Sequence, residues 1–206
     1  PGVPGVSAEE TGKLDNHVVI CGYGRMGQSV GNFLEAEGIP YVALDLDSDR
    51  VRQAHLAGEP VFYGDASDGS VLDAVGIARA RLVVIGHNDI AAARRILHYV
   101  RRQRPELPVM VRTADETHVE ELRAAGATEV IPETLEASLM VASTALLLLE
   151  VPLVRVVQKM REQRSSHYRL LRESFAGHSG LFGEIACAPW CCRRSRPTWG
   201  SRCRPP

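Results

Sequence analysis

The stretch HVVICGYGRMG, His17 to Gly27, decides the fold. Val18, Val19 and Ile20 form a β-branched run bounded by polar residues, the pattern of a strand buried on both faces of a parallel sheet. Gly22, Gly24 and Gly27 follow in the spacing G-x-G-x-x-G, and helical periodicity takes over from Met26 to Glu37. Strand, glycine turn and helix in succession give the motif its meaning. Gly22 permits a tight turn, Gly24 lets the main chain approach a pyrophosphate, and Gly27 lets the helix pack close to the strand. The helix start then offers unpaired N–H groups and the positive end of its dipole to an anion. An adenine nucleotide or a dinucleotide is the expected guest.

Outward from this stretch the pattern repeats. Tyr41 to Leu46 reads as a second strand with Asp45 at its carboxyl end, and Asp49 to Leu56 as a helix capped by Ser48 and stopped at Gly58. Pro60 to Tyr63, Arg81 to Ile85, Val109 to Val111 and Glu129 to Ile131 read as further strands. Ser70 to Val75, Ile90 to Gln103 and Asp115 to Ala124 read as the helices between them. Strict alternation with short connections predicts an α/β fold, a Rossmann-like, doubly wound, six-stranded and mostly parallel sheet. Glu133 to Glu150 reads as a long helix that is apolar nearly all round, and one small domain cannot easily cover it. A homodimer through the 133–150 helix is therefore expected. Val154 to Phe175 resumes a helical pattern with a basic polar side, expected to be a solvated surface helix.

The expected organisation is thus a linker over 1–16, a nucleotide-binding domain over 17–151, a C-terminal helix over 152–176, and a tail over 177–206. The tail lacks periodicity and is expected to be disordered or non-native. The chain begins at Pro1 rather than Met, from which we expect an excised piece of something longer.

Composition narrows the function. The net charge of -1 gives no electrostatic case for nucleic acid or an anionic membrane surface. No apolar run reaches the length of a membrane span; Leu139 to Leu149 comes nearest and is cut by Glu150 and Pro152. Cys21 stands alone in the main body, as in a cytosolic protein without disulfides. Cys187, Cys191, Cys192 and Cys203 lack paired C-x-x-C spacing, so no metal site is expected.

Around the glycine motif, Asp45 lies at the distance expected of a carboxylate that accepts both ribose hydroxyls and repels a 2′-phosphate, which favours NAD over NADP. Asp47 reads as a helix N-terminal charge. Arg25, inside the glycine loop, points toward the phosphates. Asp65 either reaches an adenine or ribose edge or stabilises a turn. Asn88, Asp89 and Arg112 follow strands four and five, at the carboxyl ends where ligands of open α/β sheets gather. The chain neighbours Tyr23, Met26, Leu46 and Ala66 complete the candidate set. His55, His98 and His118 fall on helices away from the crevice, and His87 is the one histidine near the strand ends. No nucleophile–base pair or Tyr-x-x-x-Lys presents itself, so the site reads as built to bind; a stand-alone NAD-dependent oxidoreductase is the alternative.

The ordered runs HVVICGYGRMGQSVGNFL, VALDLD, VFYGDAS, LVVIGHND, VMVRTAD and AGATEVIPETLEASL resemble the RCK domain, also called TrkA-N or KTN. Such domains regulate potassium channels and transporters, and the flavour here is that of Kef-type monovalent cation:proton antiporters. The resemblance covers about His17 to Val151. It implies a dimerising Rossmann domain that binds NAD(H), AMP or ATP/ADP, with Gly22, Gly24, Arg25 and Gly27 on phosphates, Asp45 on the ribose and Asp65 at the adenosine end. It likewise implies that the 133–150 helix crosses over to a partner subunit. The partner it implies is a membrane-embedded cation transport domain, with this chain on the cytoplasmic face of the inner membrane.

Overall fold

The computed structural model describes Gly5 and residues 14–167, the last three by backbone alone. The expected linker lies almost wholly outside the described residues, as do 168–176 of the expected C-terminal helix and the whole of 177–206.

Six strands, β1 (Val18–Cys21), β2 (Tyr41–Asp45), β3 (Val61–Tyr63), β4 (Leu82–Ile85), β5 (Val109–Thr113) and β6 (Glu129–Pro132), form one sheet in the order β3-β2-β1-β4-β5-β6. Every neighbouring pair is parallel, so the Rossmann-like sheet is wholly rather than mostly so. The strand order reverses between β1 and β4, which opens a crevice at their carboxyl ends. The glycine turn leaves β1 at that point.

Burial on both faces explains the β-branched run of β1. Val18 and Ile20 join a core that α1 (Arg25–Ala36) and α2 (Ser48–Leu56) cover with Met26, Val30, Leu34, Val51 and Ala54. Val19 and Cys21 join the opposite core, covered from α3 (Gly69–Ala74), α4 (Ile90–Gln103) and α5 (Val119–Ala124) by Leu72, Ile96, Leu97, Val100 and Leu122. Each such fully buried Ile or Leu contributes about 1.5–3 kcal/mol. Burial pushes the Cys21 thiol up to about 12, so it is an inert interior group.

Two local expectations give way to side-chain competition. α2 is capped by Asp47 rather than Ser48: the Asp47 carboxylate accepts from the N–H groups of Asp49 (3.0 Å) and Arg50 (3.1 Å). These bonds, the Arg50 N–H foremost, hold its carboxyl below the usual range. α5 begins at Val119 rather than Asp115 because the Asp115 carboxylate captures the Thr117 N–H at 2.9 Å, a local turn that competes with the helix.

After β6 comes α6 (Glu133–Leu148), two residues shorter than expected, and Glu150 then takes a left-handed φ of 59°. Leu139 is the one buried residue of α6, whereas Met140 (67% exposed), Val141 (71%) and Leu148 (80%) face outward. α7 (Leu153–His167) follows. The chain divides after Val157 into two units, and the second, from Gln158, is described only through the last turns of α7. No described helix is long and apolar enough to cross a membrane.

Candidate functional site: the glycine turn and its crevice

The turn is built by close approaches at two of its three glycines. Gly22 has φ +97° and donates its N–H to the Leu44 carbonyl at 2.8 Å, fixing the turn to β2. At Gly27 a Cβ would lie 2.3 Å from the Gly22 carbonyl oxygen, so only glycine lets α1 start this close to the strand. Gly24 differs: nothing lies within 4 Å of where its Cβ would be, so its main chain borders open space.

Gly24 is also the N-cap of α1, which has no side-chain cap and no acidic residue in its first turn. The helix therefore presents orphan N–H groups and a positive dipole end to the crevice. In front lies a cavity of about 340 Å³ lined by Gly24, Arg25, Met26, Ser29, Gly86, Arg112 and Glu133. Arg25 is exposed, and no described carboxylate pairs with it. Arg112 donates to the Gly86 carbonyl (3.3 Å) and Asn88 Oδ1 (3.0 Å) and ion-pairs with Glu133. An open glycine backbone, an uncapped helix start and two guanidiniums fit a phosphate group.

The carboxyl end of β2 is the reverse. Asp45 is buried; its Oδ2 accepts from the Tyr23 N–H (2.6 Å), and its Oδ1 from the Asp47 N–H (2.8 Å) and Arg50 Nη1 (2.8 Å). A carboxylate offers about four acceptor positions, so one remains. Accepting both ribose hydroxyls there requires Arg50 to move.

The other sequence candidates fall into two groups. Met26 and Arg112 join Gly24 and Arg25 around the cavity, and Asn88 touches it through Arg112. Asp65 instead accepts the Ser67 N–H at 2.8 Å, the turn-stabilising alternative, and Asp89 caps α4 through the Ala92 N–H at 2.9 Å. That N–H holds the Asp89 carboxyl below its usual range. Tyr23 buries its ring against Tyr41, with the two hydroxyls 3.1 Å apart, so only its main chain faces the turn. Leu46 is exposed, and Ala66 packs into the α4-side core.

His87 sits against Gly22, half-buried, its Nδ1 without a partner among the described residues. Burial lowers its pKa, opposed by Asp89, Asp65 and Asp45, and the ring does not line the cavity. His118 is partly exposed and pairs with Glu121, and His55 and His98 are exposed on helices. A larger groove of about 590 Å³ runs over Arg94, Arg95 and His98 of α4 and shares no residue with the glycine turn.

Sequence reasoning missed Ser29, Gly86, Arg50 and Glu133. Arg50 lay within reach as the basic residue five positions after Asp45. Glu133 carried a weaker signal, an acid opening a helix directly after a strand.

Comparison with known proteins agrees with this fold. The TrkA-N domain family matches residues 18–133, more than half of the chain. The putative K(+) efflux antiporter KefB of Alkalimonas amylolytica is 55% identical over 168 residues, 82% of this chain and 25% of that protein. The glutathione-regulated potassium-efflux system protein KefC of Cronobacter sakazakii is 33% identical over 139 residues, 68% of this chain and 22% of that one. The Shewanella denitrificans Kef CTD in its AMP-bound form superposes with a TM-score of 0.62 at 28% identity, covering 77% of this chain and 96% of that one. The chain spans about a quarter of the length of the two antiporter relatives. From the sheet order, the glycine turn and these matches together, the chain belongs to the TrkA-N domain family.

Proposed function

We propose that this chain is the nucleotide-sensing regulatory domain of a bacterial potassium transport system of the Kef antiporter kind. The observation that carries the reading is the uncapped start of α1, with Gly24 open and Arg25 unpaired by any described carboxylate, facing the 340 Å³ cavity. In this reading the phosphates of an adenine nucleotide lie on Gly22–Gly27 and Arg25, with the ribose toward Asp45 and the base toward Asp65 and Ala66. The AMP-bound state of the Shewanella relative supports a nucleotide over a purely structural turn; NAD(H) and AMP are the foremost ligands, with ATP and ADP of the same class.

The exposed Met140, Val141, Leu147 and Leu148 of α6 supply the apolar surface for a second copy of the chain. The membrane-embedded cation transport domain is the further partner, in the same chain or as a separate subunit, which places this domain on the cytoplasmic face of the inner membrane. The two guanidiniums of the cavity, Arg25 and Arg112, are groups that bind phosphate, and in this reading the domain acts by binding rather than turnover. Nucleotide controls ion flux by its difference in affinity for two dimer geometries.

Calorimetry with AMP, ADP, ATP, NAD and NADH, with sedimentation of the same samples, tests this. The expected result is saturable binding of at least one nucleotide to a dimer whose dissociation constant changes on binding. No binding by any of the five contradicts the reading, and NADH oxidation with a substrate would turn it toward an oxidoreductase.

A further inference from the structure

Arg112 is held from three sides, and the three are unequal. Its Nη1 is fixed to the sheet by the Gly86 carbonyl and Asn88 Oδ1, at the end of β4, while its Nη2 meets the Glu133 carboxylate. The Arg112 side chain is 19% exposed, whereas that of Glu133 is 55% exposed. Arg112 therefore cannot leave the cavity wall cheaply, and Glu133 can swing into water. Glu133 is also the first residue of α6, whose N-cap, Pro132, supplies no side-chain cap. Both charged groups line the cavity that holds Gly24 and Arg25.

A carboxylate in a phosphate cavity is at odds with the anion it is to receive unless it can be exchanged. We propose that Glu133 is the resident counter-anion of Arg112, displaced by the phosphate of the incoming nucleotide, so that occupancy of the cavity is reported at the first turn of α6. The inference rests on the nucleotide-binding reading above and adds to it a positioning role for Glu133 and a preference for ligands with more phosphate charge. An ion pair with so exposed a carboxylate is weak, whereas a phosphate brings more negative charge and more acceptor oxygens to the same guanidinium, so phosphate wins the exchange. Once released, Glu133 still faces the positive end of α6, so the helix keeps its first-turn charge while losing its tether to β5.

The test is calorimetry on the full chain with AMP and ADP, with and without Mg²⁺, for wild type, Glu133→Gln, Arg112→Gln and the double variant. Removing the competing carboxylate is expected to tighten ADP about three- to fivefold and AMP less, the size of one part-exposed ion pair. The tightening is expected to vanish in the Arg112→Gln background, because Glu133 acts through Arg112 and not as a general negative field. ADP affinity unchanged by Glu133→Gln overturns the inference alone. Weaker ADP binding in that variant, as for a carboxylate that holds the ligand through Mg²⁺, overturns it too, as does tightening that persists without Arg112. Failure of all four proteins to bind either nucleotide sinks both this inference and the reading it rests on.

Discussion

At the glycine turn, donors are left without partners: Gly24 borders open space, α1 begins without a cap, and no described carboxylate pairs with Arg25. At Asp45, at the end of the neighbouring strand β2, three donors converge on one buried carboxylate. The first region holds unused hydrogen-bonding capacity for a ligand; the second spends almost all of its capacity on the fold. Asp45 even fastens the turn itself, since its Oδ2 takes the main-chain N–H of Tyr23 between Gly22 and Gly24. One motif thus combines a part that binds by being unsatisfied with a part that keeps it in shape, and substitutions should separate the two.

The largest effect is expected at Gly27. A Cβ there meets the Gly22 carbonyl at 2.3 Å, a main-chain clash that no rotamer relieves. Gly27→Ala should cost about 3 kcal/mol of stability, read as a lower denaturant midpoint, with nucleotide binding lost alongside. An unchanged midpoint would mean that the turn is looser than the contact implies. Asp45→Ala comes next: it strands the Tyr23 N–H and should cost about 2 kcal/mol. Asp45→Asn should fall between wild type and Asp45→Ala, because its amide oxygen still accepts but its amide nitrogen faces a donor. Equal stability of all three proteins would break the comparison, since Asp45 would then serve the ligand alone.

How much of this the sequence already held follows from the range of the interactions. The six strands and the glycine turn depend on near neighbours and on periodicity, so the β-branched run of β1 and the spacing of Gly22, Gly24 and Gly27 were legible. The start of α5 was not, because the Asp115 side chain competes with its own backbone, and helical periodicity does not register that contest. Asp47 rather than Ser48 caps α2 for a similar reason: adjacent residues are both good caps, and only geometry chooses between them. Arg25 and Arg112 were legible from their places after the turn and on a strand end. Glu133 was not, because its meaning comes from Arg112, 21 positions away in sequence and adjacent only through the β5·β6 pairing. The exposed apolar face of α6 was legible as excess hydrophobicity, since no single small domain has enough surface to cover it.

The smallest effect on stability, and the sharpest on function, is expected at Arg25. Its side chain is exposed and unpaired by any described carboxylate, so Arg25→Gln should change stability by less than about 0.5 kcal/mol. If the glycine turn is a phosphate site, the same substitution removes a charged hydrogen bond and should weaken AMP or ADP binding about tenfold or more. Paired calorimetry and denaturant titration of Arg25→Gln is therefore the most direct test. Lost affinity with an unchanged unfolding midpoint is the predicted result; unchanged affinity would contradict the assignment of this turn as the nucleotide's phosphate site.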